Sequence, residues 1–229
     1  DATVKIAKKF SRLLPLTIIN SPKRHVCTQR NLGTKAAKAD VFIFSDADNR
    51  LPPYFLQGIK YRWESENVDI LSPFITPDIQ TPQNNTISTT LNLFLDLQMS
   101  LKPRFLLESC IIVNKDCFNT IHGFDETVSY SEGTIFLETA IVHNFRAKII
   151  KDPTYSLSFR RLKKYGTAKF ISGAVGIQLM DLLGIDQKRI KLNKLYPMLG
   201  GSVYDSRYKI NKTKIAKFLK NITEILKDF

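Results

Sequence analysis

The run Val41-Phe42-Ile43-Phe44 passes through Ser45 straight into Asp46-Ala47-Asp48. A short apolar run bounded by charge reads as a buried strand, and its near-continuous hydrophobicity suits a parallel strand covered on both faces. Such a strand delivers two carboxylates, one small residue apart, to the rim of a sheet. In an open α/β sheet ligands sit beyond the carboxyl ends of the strands. Paired carboxylates at that place can hold a hard divalent cation, Mg2+ or Mn2+, which keeps several waters and bridges to substrate phosphates. Taken alone, an Asp-x-Asp is also a common helix cap or turn former.

The rest of the chain alternates between helical and extended patterns, as an α/β fold requires. Val4, Ala7, Phe10 and Leu14 recur at helical spacing, and Pro15 hands over to a predicted strand from Leu16 to Asn20. A helix from about Cys27 to Lys38 carries Ala36, Ala37 and Ala39 near its end, small residues that let it lie close to a sheet. Pro52-Pro53 opens a helix running to about Asn67. Asp69 to Ser72 is a predicted strand ended by Pro73, and Thr76 to Thr86 reads as a loop long enough to be functional. A helix from about Ser88 to Leu101, a strand from Cys110 to Val113 and a short helix from about Lys115 to Ile121 follow. His122 to Glu126 reads as a turn, Glu132 to Asn144 as a helix and Ala147 to Ile150 as a strand.

Composition narrows the function classes. With 229 residues, 43% of them hydrophobic, the chain can bury a sizeable core. Three cysteines, Cys27, Cys110 and Cys117, match neither a disulfide framework nor a zinc pattern, which points to a reducing compartment. His25, His122 and His143 are scattered without metal-ligand spacing. No stretch reaches the ~18 uninterrupted apolar residues of a membrane span. The sequons at Asn84, Asn211 and Asn221 then read as chance products of an Asn-rich sequence. Net charge is +13, but residues 1–159 hold 18 Lys/Arg against 16 Asp/Glu while residues 160–229 hold 16 against 5. The basicity belongs to the tail, and it suits phosphate of any kind, whether lipid headgroup, diphosphate ligand or nucleic acid. A solvated lysine-rich face is the plainer alternative.

Three ordered blocks carry a resemblance. "TQRNLGTKAAKADVFIFSDADNRLPPYFL" is similar to the family 2 glycosyltransferases, in which an Arg-Asn-x-Gly helix leads through small residues and an Asp into a strand ending in Asp-x-Asp. The matching positions are Arg30, Asn31, Gly33, Ala36, Asp40, Asp46 and Asp48. "NKDCFNTIHGFDETVSYSEGTIFLETA" resembles the family's acceptor-side segment, where a Gly-Phe-Asp-Glu turn precedes an acidic pair at a helix start. "SFRRLKKYG" resembles an arginine motif that lies near the diphosphate.

The resemblance implies a Rossmann-like A-type glycosyltransferase fold over residues 1–165, with a mostly parallel central sheet flanked by helices. A basic helical C-terminal extension is expected over residues 166–229. It implies an inverting transferase that takes a sugar from a UDP- or GDP-linked donor, with a divalent cation held by Asp48 and Asp46. Asp46 would face ribose or sugar, and Asp48 would be the main metal ligand. Arg30, Asn31, Lys35, Arg160 and Arg161 are the further candidates for donor binding, guanidinium forks being suited to phosphate oxygens. For Arg30 and Lys35 an exposed helical face is the alternative, and for Arg160 and Arg161 a surface pair.

An inverting displacement needs a general base for the acceptor proton. Many members carry Glu-Asp there, whereas this chain has Glu132-Gly133. Glu132 is the candidate catalytic base, with Asp125 and Glu126 behind it, and its other reading is a carboxylate stabilising a helix N-terminus. Asp1-Ala2-Thr3 resembles the end of the family's Asp-Gly-Ser-x-Asp-x-Thr segment. The family's first strand and base-reading acids therefore have no counterpart here, as though the numbering began inside a longer protein.

In the tail, Ile215, Leu219, Ile222 and Leu226 form one helical stripe with Lys212, Lys214, Lys217 and Lys220 largely off it. Such a helix packs on the domain or lies peripherally on an anionic membrane. The expected acceptor is a glycan or lipid-linked hydroxyl in cell-surface glycan, glycolipid or polysaccharide synthesis. The expected location is cytoplasmic, extending to the inner face of the membrane. Two rivals remain: an inactive relative that binds ligand or scaffolds a partner, motivated by Gly133, and a basic nucleic-acid module. The tail lacks an aromatic-interleaved recognition motif, so nucleic acid is not the expected partner. Trp63 reads as packing or as a sugar-stacking ring.

Overall fold

The computed structural model describes residues 2–160, except 102, 104, 129 and 130. In chain order the elements are α1 (Thr3–Lys8), α2 (Val26–Ala36), β1 (Val41–Ser45), α3 (Phe55–Glu66), β2 (Ile70–Pro77), α4 (Pro82–Leu101), β3 (Cys110–Asn114), α5 (Lys115–Thr120), α6 (Glu132–Val142) and β4 (Ala147–Leu157). Arg161 and the expected extension over residues 166–229 lie outside the described residues.

The four strands form one sheet in the order β1-β3-β2-β4. β2 and β4 pair in parallel, and β3 runs antiparallel between β1 and β2. Three strands therefore point one way and one is reversed. Alternation along β3 separates two apolar layers, since successive side chains of a strand face opposite sides. Ile111 and Val113 join Phe42, Phe44, Ile70 and Ile149 under α2, α5 and α6. Cys110 and Ile112 join Leu71, Ile75, Ile150 and Tyr155 under Phe55 and Ile59 of α3. Helices thus cover both faces of a mixed α/β sheet. All three cysteines are buried and free.

Several expectations need correction. β1 is not covered on both faces: Phe42 and Phe44 are buried, whereas Ile43 is exposed. Its two phenylalanines enter an aromatic cluster, with Phe44 5.0 Å from Phe124 and Phe124 4.5 Å from Phe136 between ring centres. Residues 16–20 form no strand, and α1 stops at Lys8, leaving Phe10 and Leu14 exposed. Ala36, Ala37 and Ala39 are exposed and do not bring α2 against the sheet.

Pro73 does not end β2. The strand continues to Pro77 past an irregularity between Pro73 and Ile75. There the buried Asn92 of α4 serves both polar groups of Ile75, accepting from its N–H at 3.0 Å and donating to its C=O at 2.8 Å. That side chain replaces a lost ladder pair, and an unpaired buried peptide group costs about 1–3 kcal/mol. The long loop expected over 76–86 is therefore mostly strand end and helix start. α3 lies close to β4 because Gly58 has no Cβ: one built there would come within 2.9 Å of the Pro153 ring. Among the described residues no helix is long and apolar enough to cross a membrane.

Candidate functional site

β1 ends where β3 begins, because Ser45 is paired with Cys110. The chain after β1 is clipped on two sides. Asp46 N–H donates to the Ser109 carbonyl at 2.9 Å, and the Asn49 amide donates to the same oxygen at 2.6 Å. Arg50 and Ser156 exchange both backbone hydrogen bonds at 2.9 Å, tying the far end of the turn to β4. Asp46 and Asp48 therefore stand on a fixed loop at the carboxyl ends of β1 and β4.

Each carboxylate faces an arginine. Arg160 Nη2 lies 2.7 Å from Asp48 Oδ2, both groups being partly exposed. The segment carrying Arg160 is held by Asp78, which accepts from Phe159 N–H at 3.0 Å and from the Ser158 hydroxyl at 3.1 Å. Burial works against the charge on Asp78, but those hydrogen bonds prevail and bring its pKa below the ordinary value.

Arg30 projects from the inner side of α2. Its Nη2 donates to Asp46 Oδ1 at 3.2 Å and to the Glu108 carbonyl at 2.7 Å, while Nη1 donates to Glu132 Oε1 at 3.2 Å. The guanidinium stands 5.1 Å from the centre of the Phe124 ring. Arg30 and Glu132 are nearly buried, with side chains 9% and 4% exposed. Burial, and behind it the nearby Asp48, raises the Asp46 pKa against the pull of Arg30. Arg30 is thus no decoration of an exposed helical face, because its fork is taken up by protein groups.

Glu132 is the first residue of α6 and points inward. Its Oε2 is buried and has no hydrogen-bond partner among the described residues. Beside it lies Glu108, a carboxylate with no place in any of the sequence blocks. Glu108 Oε1 accepts from Gly133 N–H at 2.9 Å. Burial first, and then the charge of Glu132, push the Glu108 pKa up to about 8. The signal that could have revealed it is Gly133 itself, a residue without a side chain next to an inward-facing acid.

The remaining candidates have other neighbours. Asn31 ties α2 to the Gly123-Phe124-Asp125-Glu126 turn, accepting from Phe124 N–H at 3.0 Å and donating to its C=O at 2.9 Å. Gly123 has φ of +74° there, and a Cβ on it would meet Asn31 Oδ1 at 2.8 Å. Glu126 accepts from the Thr28 hydroxyl at 2.7 Å and from Asn31, bonds that lower its pKa and weaken it as a base. Asp125 accepts from Thr127 N–H and its hydroxyl and shapes the turn. Lys35 is exposed in the last turn of α2. Trp63 lines a cavity of about 210 Å³ with Asp40, Val41 and Lys115, at the opposite end of β1 from the Asp pair. It does not reach the acidic rim.

No group of three or more His, Cys, Asp or Glu side chains among the described residues is placed to hold a metal ion alone. The donor chemistry of Asp46 and Asp48 nevertheless fits Mg2+ or Mn2+, which are bound through one or two carboxylates completed by substrate phosphates. Arg160 now occupies one Asp48 oxygen and would have to yield it.

Residues 1–121 match the family model described as glycosyl transferase family 2. No curated protein matches the chain. Among solved structures it resembles the mannosyltransferase PcManGT from Pyrobaculum calidifontis in complex with GDP-Man and Mn2+. That likeness has a TM-score of 0.54 and 15% identity, over 69% of this chain and 44% of the other. It also resembles S. aureus TarS 1–349 in complex with UDP-GlcNAc, with TM-score 0.54 and 19% identity over 69% of this chain and 46% of that one. Against the same protein in complex with UDP the TM-score is 0.55 at 15% identity, over 95% of this chain and 65% of that one. The chain thus spans about half to two thirds of the length of these relatives.

Proposed function

The chain belongs to glycosyl transferase family 2, and from that premise we propose that it moves a sugar from a nucleotide-diphosphate donor to a hydroxyl acceptor with inversion at the sugar carbon. The observation that carries this reading is the rim at the end of β1. There two carboxylates fit for a cation lie beside Arg160, and Glu132 presents a buried oxygen with no partner among the described residues.

In this mechanism the acceptor hydroxyl gives its proton to the Glu132 carboxylate as its oxygen bonds to the anomeric carbon. The bond from that carbon to the diphosphate breaks on the opposite side, and its electron pair leaves with the nucleoside diphosphate. General-base assistance of this kind contributes about 10²- to 10⁴-fold. Asp46 turns toward ribose or sugar. Arg160 leaves Asp48 for the diphosphate and stabilises the charge that builds there. Arg30 holds Asp46 and Glu132 in mutual register. Asp48, with Asp46 beside it, would hold a Mg2+ or Mn2+ ion, which would supply Lewis-acid stabilisation of the leaving diphosphate.

The acceptor we propose is a glycan or lipid-linked hydroxyl at the cytoplasmic face of a membrane, supported by the +11 excess of the last 70 residues, 16 Lys/Arg against 5 Asp/Glu. A ligand-binding relative without turnover is the second reading, and Gly133 favours it because the residue after Glu132 brings no acid of its own.

Calorimetric titration of UDP and GDP, with and without Mn2+, into a protein that includes whatever precedes Asp1 tests the donor site. Binding that needs Mn2+ and disappears in Asp48→Ala is the expected result. Absence of binding by the folded chain removes the transferase reading.

A further inference from the structure

Glu108 is joined to the site through both its ends. Its carbonyl receives Arg30 Nη2 at 2.7 Å, and its carboxylate receives the Gly133 N–H at 2.9 Å. Arg30 and Gly133 are the direct neighbours of Glu132, one through an ion pair and the other through the chain. The space at Gly133 is also taken up. A Cβ built on it would lie 2.6 Å from Glu108 Cγ, closer than real Cβ atoms come. A side chain at position 133 and the side chain of Glu108 therefore compete for one volume, and in this chain Glu108 has it.

We propose that Glu108 is a positioning residue of the transfer site: its side chain fills the room that Gly133 leaves beside Glu132, and the two acids act as one proton-handling pair. The proposal rests on the transferase reading with Glu132 as base. Two carboxyl groups in one partly desolvated place do not readily carry two negative charges. The elevated pKa of Glu108 agrees with one proton remaining on the pair near neutral pH. The groups facing the pair are Arg30 and the Cys27 thiol from α2, with Asp46 at the end of β1. Arg30, shared between Glu132 and Asp46, supplies one positive charge and so favours one negative charge on the pair.

In the step itself, Glu132 starts ionised and Glu108 protonated. The acceptor proton passes to Glu132, leaving both acids neutral as the nucleoside diphosphate departs, and one proton then returns to water. Protonated Glu108 keeps Glu132 aimed and ionised; when Glu108 loses its proton, a second negative charge competes for Arg30 and the arrangement loosens.

The test compares four forms of the full chain: wild type, Glu108→Gln, Glu108→Ala, and Glu108→Ala combined with Gly133→Asp, which returns a carboxyl to the same volume from α6. Transfer is measured across pH with the donor that binds, and infrared spectra record protonated carboxyl groups. Glu108→Ala is expected to lose about 10- to 100-fold in kcat through misplacement of Glu132, with the donor KM changed less than about twofold. The double variant is expected to recover at least about tenfold of that loss. Wild-type kcat/KM falls on the alkaline side as the pair loses its last proton, and Glu108→Gln, an amide that cannot ionise, lacks that limb while losing only a few-fold in kcat.

Failure of the double variant to recover, or the same alkaline limb in Glu108→Gln as in wild type, overturns the proposal, because a purely structural role would give both. If the wild type transfers no sugar, the transferase reading fails, and with it the catalytic half of the proposal. The carboxyl pair is then decided by infrared alone: a protonated-carboxyl band near pH 7 present in wild type and absent in Glu108→Gln supports it, and no such band in wild type refutes it.

Discussion

Replacing Arg30 with methionine keeps a stem of similar reach and removes the fork that joins α2, the end of β1 and the start of α6. Three bonds are lost, and they are not equal. The Asp46 side chain is 44% exposed, so that arm is worth under about 1 kcal/mol. The Glu132 arm lies between side chains 9% and 4% exposed, and removing one partner of a buried pair costs about 3–5 kcal/mol because the other charge is left without compensation. The cation–π contact with Phe124 adds on the order of 0.5–1 kcal/mol. Counting the bond to the Glu108 carbonyl as about 1 kcal/mol more, we therefore expect Arg30→Met to lose about 4–8 kcal/mol in urea unfolding followed by circular dichroism, with an unchanged denaturant slope. Glu132→Gln removes the stranded charge, so the double variant should be less destabilised than the sum of the singles by at least about 1 kcal/mol. A loss under about 1 kcal/mol in Arg30→Met, or strict additivity, would refute the claim that this ion pair organises the site.

Gly58→Ala gains helix propensity, yet its new methyl meets the Pro153 ring at 2.9 Å; it should cost about 1–3 kcal/mol in thermal or urea melts. Asn31→Ala strands both the N–H and the C=O of Phe124 and should cost about 2–4 kcal/mol by the same assay. For pH, Glu108 titrates near 8 in the folded chain against an ordinary 4.5, so between those values the folded form holds a proton that the unfolded chain has lost. Stability contributed by this group is present below pH 4.5 and is lost as pH rises toward 8. Glu108→Gln, which cannot ionise, should flatten the curve over that window.

The parts of the site that were legible in the sequence are those where one short stretch supplies both element and chemistry. The apolar run into Asp46 and Asp48 is a strand end, and Glu132 is a helix start. Glu108 was not legible, because it sits in a connection with no motif and owes its importance to Gly133, 25 residues away in the chain. Arg30 could be named but not placed, since its partners come from three other elements. Leu16 to Asn20 has the β-branched residues of a strand but pairs with none among the described residues, and propensity without a partner forms no sheet. Pro73 is the reverse case. The sequence rule that proline ends a central strand fails there because Asn92, from a separate helix, takes over the backbone bonds of Ile75.

The reversed strand β3 has a consequence for how the rim can vary. In a sheet whose strands all run one way, the ligand edge is reached only by chain leaving a strand. Here the edge is also reached by chain arriving, so the connection from α4 into Cys110 adds its own backbone oxygens and one acid to the same edge. Change in that connection leaves the ladder between β1 and β3 untouched while altering which groups stand beside Asp46. The rim therefore has a segment free to vary in sequence without asking the sheet to change its pairing.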